Sequence, residues 1–196
     1  MTESRERVVG RRGYGLLCLA LALLLAALPV GASVVRLPDS SGSVFAAEVL
    51  RYLPSENVGD YYSRLSNVLG PPQEGGRSAN VPLALGTCGF VDVRMETPFS
   101  NGPGPDLRVY ECGSAWGGVN EPFTVRVSSD GVVWTNTTSW ARMNDAGKPY
   151  TSIELGDLAG PFLYVRVRGE GGGASPEGPE IIAIEALHPV TEPTQD

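Results

Sequence analysis

The sequence predicts an all-β fold, an antiparallel β-sandwich, on three observations. Apolar and polar residues alternate in short runs from residue 81 onward, the period of a half-buried strand. No stretch after Tyr52 sustains a helical period. The chain has 196 residues with 25 glycines and 16 prolines. These fall between the alternating runs, where a sandwich places its turns.

Residues 44–52 are read as the first strand. Phe45-Ala-Ala-Glu-Val-Leu50 would tolerate a helix, but Pro54 stops one early. Residues 55–76 contain Asn67-Val-Leu-Gly-Pro-Pro72 and predict a long irregular crossing. In 90–95 the alternation puts Val91, Val93 and Met95 on one face. Asn101-Gly-Pro-Gly-Pro-Asp106 cannot be helix, because Pro103 and Pro105 fix φ and remove donors. It delivers the strand 107–111. Phe123, Val125 and Val127 alternate with Thr124, Arg126 and Ser128, and Asp130-Gly131 turns the chain back into 132–135. Trp134 after that turn is expected in the core. Residues 150–155 and 163–168 are further strands. Residues 181–187 are mostly apolar, as in a strand covered on both faces.

The N-terminus reads as an export signal over residues 1–32. A basic start precedes an apolar run from Leu16 to Leu28, and Val30-Gly31-Ala32 offers the small residues that a signal peptidase reads. The run is short for a membrane span. Residues 33–43 are a polar tether, 44–188 the sandwich, and 189–196 a polar tail with no apolar anchor. The net charge is -7; four arginines and two glutamates before Ser33 contribute +2, and taking this from -7 leaves -9. So acidic a surface argues against nucleic acid or anionic membrane as the main partner. The expected location is secreted, periplasmic or cell-surface.

Cys18 lies within the signal, leaving Cys88 and Cys112. In an exported chain a disulfide between them is the first expectation, worth about 3 kcal/mol in the loop-entropy model; two buried thiols are the competing reading.

The order of the pieces resembles a family. Asn67-Val-Leu-Gly-Pro-Pro72, Gly102-Pro-Gly-Pro-Asp-Leu-Arg-Val-Tyr-Glu111, Val125-Arg-Val-Ser-Ser-Asp-Gly-Val-Val-Trp134, Tyr164-Val-Arg-Val167 and Glu185-Ala-Leu187 look like the discoidin-type, galactose-binding-like jelly-roll modules of bacterial exported and cell-surface proteins. The resemblance spans roughly residues 44 to 188. It implies a jelly roll with a structural calcium near one end. Asn101 and Asp106 would supply ligands, with Glu180 from the last strand. Ile182 stands where the family usually has a second carboxylate, a loss that weakens the site. On its own residues the 101–106 segment reads first as a rigid proline-rich turn with solvated polar groups, and second as an oxygen-rich site suited to a hard cation such as calcium.

Wider members of the fold bind sugars through loops at one end. The loop aromatics here are Trp116, Trp140, Tyr61 and Tyr62. Trp116, in a glycine-rich loop, would either stack on a sugar or fold back over the sandwich edge. No catalytic set assembles readily. His188 is the only histidine, and the carboxylates Asp92 and Glu96 are explained by a solvated strand face. The expectation is a non-catalytic exported module that binds carbohydrate or a cell-surface polymer. The alternative is a structural or adhesive surface protein that binds another protein.

Overall fold

The computed structural model describes residues 44–72, 81–112, 121–141, 145, 148–171 and 178–190, with only the backbone for 138–141. The expected signal, the tether and residues 191–196 of the tail lie outside these. Among the described residues there are nine strands and no α-helix. They are β1 (Val44–Leu53), β2 (Leu83–Ala84), β3 (Phe90–Phe99), β4 (Leu107–Glu111), β5 (Phe123–Ser128), β6 (Thr135–Ala141), β7 (Tyr150–Ile153), β8 (Phe162–Gly169) and β9 (Glu180–Ala186). The irregular crossing after β1 contains two single turns of 3-10 helix, Asp60–Tyr62 and Leu65–Val68.

All pairings are antiparallel, in the order β6-β5-β8-β3-β1-β9-β4-β7, with β2 added to β9. β1 joins the two halves of the sheet. Its start pairs with β9 through Val44↔Ala186, and its remainder pairs with β3 as far as Leu53↔Phe90. The sheet therefore rolls on itself, and the terminal strands β6 and β7 come into contact. The result is an all-β, almost closed barrel-like sheet.

The alternation read from sequence decides which face is inside. Val91, Val93 and Met95 of β3, Val125 and Val127 of β5, and Val165 of β8 all point into one core. Burying such a side chain stabilises by roughly 1.5–3 kcal/mol. Every residue from Ile181 to Ala186 is buried, as an apolar strand covered on both faces requires. The return strand starts later than the sequence indicated. Val132 and Val133 are exposed at the turn, and β6 begins at Thr135. Asp130 holds this turn, its Oδ1 accepting the N–H groups of Val132 and Val133, both at 2.8 Å.

The strand ends form two groups. The ends of β1, β8 and β4 and the starts of β3, β5 and β9 lie at one pole; the start of β8 and the ends of β3, β7 and β9 lie at the other. At the first pole, backbone packs directly on backbone. Gly178 has φ +61, and a Cβ on it would lie 2.6 Å from the Gly86 carbonyl carbon. Leu85 donates its N–H to the Pro179 carbonyl and Cys88 to that of Gly169. At the second pole Pro189 bridges to Phe99, and the Val190 N–H reaches the Pro98 carbonyl, so the tail begins pinned to β3.

Candidate functional site

Three constellations of polar side chains stand out, one at each pole and one on the outer face of the sheet.

At the second pole, Asp106 is fully buried. Its Oδ1 accepts the Gly102 N–H at 2.8 Å and its Oδ2 the Leu155 N–H at 2.7 Å. Its own N–H bonds to the Ile153 carbonyl, and its carbonyl accepts the Leu187 N–H. Asn101 donates its side-chain amide to the Gly156 carbonyl. His188 covers Gly102, its Nε2 3.1 Å from the Pro105 carbonyl. The prolines keep the loop rigid, and Asp106 ties it to β7 and β9. Both carboxylate oxygens are already engaged by backbone donors, so the local arrangement is that of a clasp.

Glu180 is not part of it. β4 and β9 run antiparallel, with Leu107 opposite Ala186 and Glu111 opposite Ile181. The first residue of β9 therefore lies about 20 Å from Asp106, at about 3.3 Å per residue. The three residues expected to share a calcium ion are not brought together. Among the described residues, no group of three or more metal-ligating side chains is assembled.

Glu180 sits instead at the first pole, beside Glu111 and Glu121. Glu111 and Glu121 are both buried. Glu111 Oε1 accepts the Glu121 N–H at 3.3 Å, and Oε2 has no hydrogen-bond partner among the described residues. Burial first, and the neighbouring charges of Glu121 and Glu180 second, push the Glu111 carboxyl up to about 8, against the lowering effect of that N–H. A carboxyl so placed keeps its proton at neutral pH.

The cysteines are also at this pole, but no disulfide joins Cys88 and Cys112. Cys112 follows β4 and β2 leads into the turn of Cys88, and these strands flank β9 on opposite sides. Two strand spacings, about 10 Å, exceed the roughly 7 Å between Cα atoms that a disulfide spans. Cys88 is exposed, with φ 65.

Of the loop aromatics, Tyr61 is 60% exposed and meets Tyr62 edge to face, with ring centroids 5.0 Å apart. Trp116 lies outside the described residues. Trp140 is placed by its backbone opposite Thr124, and its side chain lies outside the description.

The third constellation was not read from the sequence as a site. On the outer face of β1-β3-β8-β5-β6, strand register lines up Arg51, Asp92, Arg166, Arg126 and Asn136 in one transverse row. Asp92 takes Arg166 in a two-pronged ion pair at 2.5 and 2.7 Å, and Arg51 at 3.1 Å. The Arg166 guanidinium lies over the ring of Phe90, 4.5 Å from its centroid, and over that of Trp134, at 4.4 Å. Trp134 is thus half-buried on the outer face and not in the core as expected. The hairpin leaves its ring beside β8, where an arginine offers a better partner than the aliphatic interior. The alternation Thr124-Val-Arg126 and Tyr164-Val-Arg166 carried a signal for this face, but the row itself depends on register.

No protein family matches the chain, and no curated protein is similar to it.

Proposed function

We propose that the chain is an exported, non-catalytic module that binds carbohydrate or a cell-surface polymer, and that its rolled sheet is a jelly roll of the galactose-binding-like kind. The observation that carries the reading is the outer sheet face, where stacked aromatic and guanidinium groups stand among amides and hydroxyls. Flat aromatic and guanidinium planes suit sugar rings, and fixed donors suit hydroxyls. The signal-like start of the sequence supports export. Asp92, one of the two carboxylates weighed for acid–base work, is already taken by two arginines, which favours binding over catalysis there. Among the described residues, no helix is long and apolar enough to cross a membrane.

A glycan array followed by calorimetry on the purified protein tests this, with binding expected to weaken when Trp134 is replaced by Ala. An array with no retained glycan would remove the reading. A second reading, adhesion to a surface protein, is favoured by the turn between β5 and β6. Val132 and Val133 there are 78% and 69% exposed, a small apolar tip available to a protein partner. Crosslinking on the native surface, compared between wild type and Val133→Ser, separates the two.

A further inference from the structure

We propose that the outer face of β1-β3-β8-β5-β6 binds a carboxylate-bearing polysaccharide, with Arg126 taking the acid group of one sugar. The inference rests on the carbohydrate-binding reading and narrows it to a class.

The transverse row holds three arginines and one aspartate, a local charge of +2 in a chain whose net charge is -7. Asp92 serves Arg166 and Arg51. Arg126 lies on the far side of Arg166, directly opposite it across the β5–β8 ladder. Like charges facing each other across strands are destabilising. Among the described residues no carboxylate pairs with Arg126, and its Nε is buried without a hydrogen-bond partner. Its other cross-strand neighbour, Asn136, is exposed and uncharged. In the next row Arg94 stands opposite Glu48 and Tyr164, extending the donor surface along the strands.

The ligand chemistry follows from what Asp92 does to Arg166. A planar carboxylate fills the fork of that guanidinium with two short bonds, the geometry in which guanidinium and carboxylate match. Arg126 offers a second guanidinium one strand further on, and among the described residues no acid fills it. The face is a rolled sheet and not a cleft, so it fits an extended polymer lying across the strands. The Trp134 and Phe90 rings both pack on the Arg166 guanidinium and Asp92 grips it, so the charge beside Arg126 is held in place before a ligand arrives.

Affinity electrophoresis of the purified protein tests this in gels containing polygalacturonate, the same polymer fully methyl-esterified, dextran sulfate, or a neutral glucan. Polygalacturonate should retard the protein and its ester should not. Arg126→Gln should weaken binding about 10- to 100-fold, the loss expected for a hydrogen bond between charged groups. Asn136→Asp separates a folding defect from a lost contact. An aspartate opposite Arg126 should pair with it, raising the melting temperature while lowering polygalacturonate binding.

Equal retention by the acid and its ester would overturn the inference and leave the carbohydrate reading standing. Retention by dextran sulfate at least as strong as by polygalacturonate, and unchanged by Arg126→Gln, would reduce the face to general charge attraction and also overturn it. Retention by none of the four polymers would overturn it, and the glycan array then decides the broader reading separately.

Discussion

Replacing Asp106 by alanine tests whether the loop between β3 and β4 is a clasp or a metal site. The wild-type carboxylate is fully buried and accepts two backbone N–H groups, from Gly102 and Leu155. Hydrogen bonds to a charged group are worth about 1.5–3 kcal/mol each, so losing both costs about 3–6 kcal/mol. Against a total stability of roughly 5–15 kcal/mol that is a large share. At about 2–4 °C per kcal/mol for a domain of this size, the melting temperature should fall by about 6–24 °C. Asp106→Asn keeps one acceptor but turns an NH2 toward the other backbone donor, so it should fall between alanine and wild type. The assay is thermal unfolding of the three proteins with excess chelator and again with calcium. A clasp gives the same losses in both, because N–H groups and not an ion hold the carboxylate. If Asp106→Ala lost less than about 1 kcal/mol in chelator, or if a calcium-induced rise in wild type vanished in the variant, the clasp account would be wrong.

Glu111 should make stability depend on pH. Its proton is held up to about pH 8 in the fold but leaves near the ordinary value of 4.5 when unfolded. Between those values the folded state binds more protons, so stability falls as pH rises. Glu111→Gln should be more stable than wild type at pH 9, by a few kcal/mol at most given about 1.4 kcal/mol per unit, and close to it near pH 4; parallel profiles would refute this. Gly178→Ala adds left-handed strain of about 1–2 kcal/mol to overpacking of about 1–3 kcal/mol against Gly86. Urea unfolding should show a loss of about 2–5 kcal/mol, and a neutral result would mean the junction is loose. Maleimide added to the native, unreduced protein should label exposed Cys88. Mass spectrometry that finds label only after reduction would show a disulfide and require the turn before β3 to move.

What could be read from the chain was whatever depends on near neighbours. The period-2 runs of β3, β5 and β8 fixed their inner faces before any pairing was known. Asp130-Gly131 gave its turn, since a short polar side chain and a residue tolerant of positive φ are local requirements. The rigidity of Asn101 to Asp106 was visible in its two prolines. Register and direction were not visible. Glu180 and Asp106 belong together only if the start of β9 meets the start of β4, and antiparallel pairing puts those ends at opposite poles. Trp134 looked like core because it is large and apolar. Its surroundings were decided by β8, whose arginine lies on the outer face thirty-odd residues further on.

The poles and the face differ in how their polar groups are spent. At one pole Asp106, Asn101 and His188 are engaged with backbone groups. At the other, backbone crosses backbone at Gly178 with no room for a side chain. These contacts close the roll, and a ligand that competed for them would loosen it. On the outer face the core-facing valines of β3, β5 and β8 hold the strands and Arg166 and Arg51 neutralise the buried Asp92, which leaves Arg126 as the arginine of the row with no such task among the described residues. Arg126 facing Arg166 even works against pairing. A charge kept where it costs stability, with no partner among the described residues, is what the proposed acidic ligand would account for. The proposal that recognition lies on the face stands or falls with Asn136→Asp. A partner built into the protein must raise the melting temperature and remove binding together.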